Sequence, residues 1–240
     1  MIYVNIIIIN IMVWVGLSYF WSFWTHKVFK PWRWLELKKR GLIKADVARG
    51  ERTYKDRVRY YAYFFCMEQV ERAETAGSFV MAGLEDAELI GLLRSQCPER
   101  EMWAIGPMEA TEVTLTHENC QGEVSNEPVS VDYVDEKEVR RLMPESGRNH
   151  VMKGGVAELV GKVTGPVALA AIDCVEYEGV TAALDHLRPL MSRGGMMIIH
   201  SYNHTWDGVR RAVDDFCAKT GDGIVPLPDM YGSVAIGIGK

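Results

Sequence analysis

Apolar strands and amphipathic helices alternate in the last third of the chain. An apolar run that starts at Val167 and ends in Asp173 predicts a fully buried strand. Apolar residues then recur at helical spacing and predict an amphipathic helix; they are Val180, Ala183, Leu184, Leu187 and Leu190. A turn at Gly194-Gly195 leads into a second buried strand, Met196 to Ile199, which His200 follows. Because ligands of open α/β sheets bind beyond the carboxyl ends of the strands, Asp173 and His200 are candidate site residues.

The rest of the chain carries weaker patterns of the same kind. They predict strands at Ser78 to Ala82, Glu101 to Ile105, His150 to Lys153, Ile224 to Pro228 and Ser233 to Ile238. They predict helices at Asp86 to Arg94, Val156 to Val160 and Trp206 to Cys217. The stretch from Glu109 to Pro144 is polar, and it predicts only a short helix near Glu136 to Met143.

An aromatic helix is predicted before the first strand. Thr53-x-x-Asp56 is typical of a capping box, and the helix would end near Arg72. Its aromatic residues are Tyr54, Tyr60, Tyr61, Tyr63, Phe64 and Phe65. They either pack onto the sheet or form a face for the membrane surface or a partner protein.

Residues 1–26 contain no charged side chain. About 24 helical residues extend ~36 Å, enough to cross a bilayer core of ~30 Å. A secretory signal would need a basic start, a shorter apolar core and a small-residue cleavage site, and these features are missing. We therefore expect one N-terminal transmembrane helix, although the isoleucine run would also suit a buried strand.

Charge is distributed unevenly along the chain. Residues 27–60 carry twelve Lys or Arg against four Asp or Glu, a net of +8, in a chain whose formal net charge is −5. Four tryptophans cluster at the basic end, as in an aromatic belt; they are Trp21, Trp24, Trp32 and Trp34. The basic flank predicts an N-terminus outside, a domain on the cytoplasmic side, and contact with anionic lipid heads. The acidic remainder argues against nucleic acid as a partner. The five cysteines have no zinc-like spacing, which suits free thiols in a reducing compartment.

The two predicted strand ends also carry recognisable motifs. Asp173, Tyr177 and Glu178 match the pattern D-x-D-x-Y-E. A second match, to H-D-Y-N-H and W-x-G-V-x-x-A-V-D-[DE]-F, consists of His200, Tyr202, Asn203, His204, Trp206, Gly208, Val209, Ala212, Val213, Asp214, Asp215 and Phe216. Through these residues the chain resembles the macrocin O-methyltransferase-like family of class I methyltransferases, which use S-adenosylmethionine. The resemblance covers roughly residues 50 to 240. It implies an α/β, Rossmann-like class I methyltransferase fold, with a seven-stranded, mostly parallel sheet whose last strand is antiparallel.

The cofactor positions that the resemblance implies are mostly substituted. The family's first motif is roughly E-x-G-V-x-x-G; here Gly83 is kept, while Met81 replaces the acid and Ala87 the second glycine. Gly106 stands at the end of the second strand, where the family shows an aspartate that holds the ribose hydroxyls. Glu109 lies three residues later and could replace that aspartate.

The positions for a metal ion are substituted as well. Members of the family often hold a divalent cation through aspartates after the fourth and fifth strands. Asp173 remains, but Val175 and Ser201 replace the others, so no metal site is expected. His200 is either a general base at neutral pH or a hydrogen-bonded histidine at a strand end.

Two hypotheses follow. The first is a membrane-anchored, catalytically degenerate methyltransferase-like protein that serves as an accessory or scaffold subunit of a membrane complex and uses no cofactor. The alternative is an active S-adenosylmethionine-dependent O-methyltransferase acting on a small hydroxylated or lipid-linked substrate at the membrane.

The chain is expected to have three parts. We expect a transmembrane helix at 1–26, a basic juxtamembrane segment and linker at 27–52, and a methyltransferase-like domain at 53–240. The expected partners are membrane lipids and a membrane protein, bound through residues 1–26 and the helix at 53–72.

Overall fold

The computed structural model describes residues 7–18, 20, 30–118, 124–203 and 207–239. The chain folds as two compact units, Met1–Ile43 and Lys44–Lys240. In the described residues of the first unit, α1 covers residues 7–18 and α2 is Trp32–Lys39. Glu36 of α2 pairs with Arg33 and Arg40, one helical turn away on either side.

The predicted transmembrane helix lies partly outside the described residues. Within the described residues, no helix is long and apolar enough to cross a membrane. The segment 27–52, expected to be a linker, is largely helical where it is described. It contains α2 and most of α3 (Ala45–Thr53), and Val47 and Glu51 of α3 are buried.

The strands of the second unit follow the predicted order, with one pair added. They are β1 (Ser78–Ala82), β2 (Met102–Gly106), β3 (Ala110–Glu118), β4 (Val124–Asp132), β5 (Asn149–Lys153), β6 (Val167–Ile172), β7 (Met191–Ile199), β8 (Val225–Pro226) and β9 (Val234–Gly237). In the described part of the chain, seven of them form a sheet of order β5-β2-β1-β6-β7-β9-β8. The pairs from β5 to β7 are parallel, and β9 pairs antiparallel with β7. The predicted Rossmann-like fold is confirmed, including the antiparallel last strand.

Helices cover both faces of this sheet. They are α4 (Arg57–Arg72), α5 (Ala87–Gln96), α6 (Glu136–Leu142), α7 (Val156–Leu159), α8 (Tyr177–Leu190) and α9 (Asp207–Thr220). Every residue of β1, β2 and β6 is buried, because these strands are covered on both sides. Strands in that position are almost entirely apolar, which is why the sequence showed them clearly.

The start of β7 differs from the prediction. The strand begins at Met191 rather than Met196, so Gly194 and Gly195 lie within it and do not form a turn before it. The pairing register with β6 shifts between Val167 and Leu169. Gly194 has a φ of +83°, which only glycine adopts readily, so the glycine pair allows the irregular strand.

The aromatic helix α4 packs within the domain. Asp56, not Thr53, caps it by accepting a hydrogen bond from the backbone of Arg59 at 3.1 Å. Tyr60, Tyr63 and Phe64 are buried, and α4 contacts β6, β7 and α5. Burial of these side chains favours packing within the domain, and a membrane or protein partner for this helix stays a prediction.

A β-hairpin that was not predicted lies between β2 and β5. Strands β3 and β4 form a separate antiparallel pair in a stretch that was predicted to hold only a short helix. Its inward side chains Val113, Leu115 and Val131 form an apolar cluster with Val175, just after β6. The hairpin therefore covers part of the carboxyl edge of the main sheet.

Candidate functional site

The carboxyl edge between β1 and β6 is the topological switch point of the sheet. From β1 the order continues to β2 and β5, and from β6 it continues the other way to β7 and β9. Gly83 follows β1 and Asp173 follows β6. A Cβ on Gly83, whose φ is +83°, would lie 2.2 Å from the carbonyl oxygen of Asp173. Only glycine fits here, because the two loops pack too closely for a Cβ.

Asp173 lies at the bottom of this edge. It is 6% exposed. Its carboxylate accepts a hydrogen bond from the backbone N–H of Glu85. Burial raises the pKa of Asp173, while the nearby guanidinium of Arg59 opposes that rise.

His200 is buried, and the chain itself supplies partners for both ring nitrogens. Nε2 is hydrogen-bonded with the Tyr63 hydroxyl, and Nδ1 lies 3.2 Å from Ser233 Oγ. The Tyr63 ring stacks on the imidazole with centroids 5.2 Å apart. Burial lowers the pKa of His200 well below its usual value, and the charge of Arg59 acts in the same direction. Burial therefore favours the neutral imidazole, and both of its ring nitrogens have hydrogen-bond partners within the protein.

Arg59 of α4 connects these groups. Its side chain is 3% exposed, with Nη1 donating to Asp86 Oδ2 and Nε to Asp229 Oδ2, both at 3.2 Å. The Tyr54 hydroxyl donates to Asp86 at 2.6 Å, and the Ser233 hydroxyl donates to Asp229. We call these five residues, with His200 and Tyr63, the Arg59 network. Sequence reasoning missed it; the available signal was an arginine inside a helix of otherwise buried aromatic residues.

A cavity of about 510 Å³ opens at the same edge. It lies between the start of α4, the β1–α5 loop, strand β4 and the ends of β6 and β7. Its lining residues are Tyr54, Lys55, Asp56, Arg59, Glu85, Asp86, Val129, Ser130, Val131, Asp132, Val175, Ser201, Met230 and Tyr231. Asp173, Gly83 and Gly106 are not among them.

The remaining predicted site residues are dispersed. Met81 is buried inside β1, and Ala87 is the first residue of α5. Gly106 is the last residue of β2. Glu109 is exposed and forms an ion pair with Lys153 at 2.6 Å. Among the described residues, no three His, Cys, Asp or Glu side chains are grouped as ligands of a metal ion.

Comparison with known proteins identifies the family of this chain. The sequence model of the family described as Macrocin-O-methyltransferase (TylF) matches residues 56–224. The chain belongs to this family. No match was found among curated proteins.

Solved structures of O-methyltransferases share the fold of this chain. The O-methyltransferase NovP has a TM-score of 0.61 at 18% identity, covering 77% of this chain and 81% of its own. CalS11, described as a TDP-rhamnose 3'-O-methyltransferase of calicheamicin biosynthesis, has a TM-score of 0.54 at 13% identity, covering 91% of this chain and 92% of its own. At these identities the likeness shows the fold alone.

The family implies S-adenosylmethionine, and the carboxylates that the resemblance places at positions 81 and 106 are replaced here by Met81 and Gly106. Leu84 is fully buried, and its carbonyl oxygen accepts the Val134 N–H at 2.7 Å, so the chain after the hairpin lies against the glycine turn. A Cβ on Gly106 would lie 3.5 Å from Leu84 Cγ. The Leu84 side chain thus lies beside the position where the family places its ribose-binding carboxylate.

The metal positions of the family do not fit an ion either. Val175 is 3% exposed and packs against hairpin side chains, not against polar ligands. Ser201 is buried at the rim of the cavity, with a φ of +59°. Asp173 is left as a single carboxylate below them.

Proposed function

We propose that this chain is a non-catalytic member of the macrocin O-methyltransferase family that does not use S-adenosylmethionine. The observation that carries the proposal is the packing of the hairpin and of Val134 over the switch point. Two positions where the resemblance implies acidic side chains hold Met81 and Val175 instead, and both are buried. A hydrogen-bonded backbone also lies against the glycine turn.

The two histidine hypotheses differ in what they require of His200. A general base needs an accessible nitrogen and a pKa near the working pH. Both nitrogens of His200 have partners within the protein, and burial lowers its pKa. These features support a structural role in the Arg59 network. Asp173 also has a structural role, since its carboxylate is hydrogen-bonded to the backbone of Glu85.

The alternative function is an active O-methyltransferase, and family membership is the observation that favours it. CalS11 is described as an enzyme that methylates a nucleotide-linked sugar, so a hydroxylated small molecule would be the corresponding substrate class. Activity would require the hairpin to leave room for the cofactor at the switch point.

Calorimetry with S-adenosylmethionine separates the two functions. Each missing hydrogen bond to a charged group costs about 1.5–3 kcal/mol, so we expect binding no tighter than roughly millimolar. Gly106→Asp restores one family carboxylate, and we expect no recovery, because Leu84 and Val134 stay in place. Micromolar binding by the unaltered protein would overturn the proposal.

We further propose that residues 1–26 anchor the protein in a membrane and that it acts there as an accessory or scaffold subunit. The uncharged N-terminal stretch and the basic block that follows support this. Deletion of residues 1–26 should release the protein, and high salt should remove any residual binding by the basic block. Retention of the deletion variant in membranes at high salt would contradict a single anchor.

The excess of Lys and Arg after residue 26 supports a domain on the cytoplasmic side. A protease added to right-side-out vesicles should leave the domain intact. Its digestion from outside would reverse the proposed orientation.

A further inference from the structure

The switch-point edge holds more carboxylates than cations. Arg59 contacts Asp86 and Asp229 directly and interacts electrostatically with Asp173 and Glu85. One guanidinium therefore faces four carboxyl groups in a largely buried region. Such an excess of negative charge is unfavourable unless protons or a cation compensate it.

Arg59 also has a donor without an acceptor. Its Nη2 is buried and has no hydrogen-bond partner among the described residues, although Nε and Nη1 both donate. A buried guanidinium N–H left without a partner carries a desolvation cost that an acceptor oxygen would remove. Arg59 lines the cavity, so a bound molecule that displaces the side chains covering Nη2 would supply that oxygen.

The cavity has the size and lining for a small organic molecule. Its volume of about 510 Å³ lies within the range of ordinary ligand pockets. Its ionisable lining comprises Lys55 and Arg59 and the carboxyl groups of Asp56, Glu85, Asp86 and Asp132.

We infer that this cavity binds a small hydroxylated amine. The ammonium would lie near Glu85 and Asp132, and a hydroxyl oxygen would accept from Arg59 Nη2. The inference goes beyond the proposed function: it makes the domain a binding module whose ligand is not the family's cofactor.

The titration of Glu85 gives binding a measurable signature. Burial raises the pKa of Glu85 to about 9, and the facing carboxylates add to the rise. The titratable and charged groups that interact with it are Asp86, Asp173, Arg59, Tyr133 and Cys174. An ammonium beside Glu85 lowers its pKa, so binding at about pH 7.5 should release a proton.

The test is titration calorimetry of the full chain with glucamine and with sorbitol. The two differ only in an ammonium in place of one terminal hydroxyl. We expect glucamine to bind roughly tenfold to a hundredfold more tightly than sorbitol, as for a charge-assisted hydrogen bond. Repetition in buffers of different ionisation heat should show the released proton.

Charge-removing variants locate the site. Glu85→Gln should abolish the proton release and remove most of the preference for glucamine, and Asp132→Asn should weaken it independently. Glu112→Gln is the matched control, since Glu112 is a hairpin carboxylate outside the cavity lining. The affinity of this variant for glucamine should equal that of the unaltered protein. If Glu85→Gln does not fold, Asp132→Asn still tests the site.

The outcomes keep this inference apart from the proposed function. Equal binding of glucamine and sorbitol, or a preference unaffected by both cavity variants, would overturn the amine site and leave the non-catalytic proposal intact. Micromolar binding of S-adenosylmethionine that displaces glucamine would overturn both.

Discussion

Replacement of Arg59 tests the central role of the network. Arg59→Met keeps an unbranched side chain of similar length but removes the guanidinium. Asp229, whose side chain is 0% exposed, would lose its ion-pair partner, and Asp86 would keep only the Tyr54 hydroxyl. Removing one partner of a buried ion pair is much more destabilising than the net contribution of the pair, because the other charge stays buried.

The magnitude follows from that geometry. Loss of one partner of a buried pair costs about 3–5 kcal/mol. For a chain of this size, each kcal/mol lowers the melting temperature by about 2–4 °C, so Arg59→Met should melt roughly 6–20 °C lower. Arg72→Met is the control, because Arg72 is exposed at the end of the same helix, and its effect should stay within about 0.5 kcal/mol.

The deficit should also depend on pH. Burial raises the pKa of Asp86 and of Asp173, and Arg59 lowers both, so its removal raises them further. A carboxyl group with a raised pKa in the folded state favours folding while it is protonated, and that contribution is lost as the pH rises. The difference between Arg59→Met and the unaltered protein should therefore shrink from about pH 7.5 to pH 5.

Urea unfolding of the full chain, followed by circular dichroism at both pH values, gives these quantities. A loss of less than about 1 kcal/mol at pH 7.5 would refute the reasoning, since no uncompensated buried charge would then have been created. A deficit that grows at low pH would refute the assignment of that charge to carboxylates.

Three further variants probe the same edge. Gly83→Ala should lower the free energy of unfolding by more than about 3 kcal/mol or prevent folding, because the new Cβ would meet the Asp173 backbone. Gly221→Ala is the control: its φ is +75° but no atom lies within 4 Å of the new Cβ, so it should cost about 1 kcal/mol. Val175→Asp should cost about 3 kcal/mol and expose the hairpin to proteases, and the half-buried Val129→Asp should do less. The pKa of His200 is lowered in the folded state, so stability should fall below about pH 6.5, by about 2 kcal/mol at pH 5. His200→Gln should flatten that dependence; an unchanged slope would show that the imidazole is not held neutral.

The sequence by itself determined the framework of the domain. The bounds of β1 were predicted to the residue, and β2 and β6 were predicted to within one residue. Strands covered on both faces are almost entirely apolar, so a short stretch of sequence is enough to predict them. The motifs after β6 and β7 then indicated the family, and with it the mostly parallel sheet and its antiparallel last strand.

Only the tertiary structure decided what the switch point contains. The alternation of Val113 and Leu115 in β3 was present in the sequence, but its packing partner, Val175, comes after a different strand. Arg59 and Asp229 are separated by 170 positions, and Tyr63 and His200 by 137. A charged side chain or a histidine has the same letter whether it is solvated or buried with a partner. Its pKa and its role depend on the surroundings that distant segments bring to it after folding.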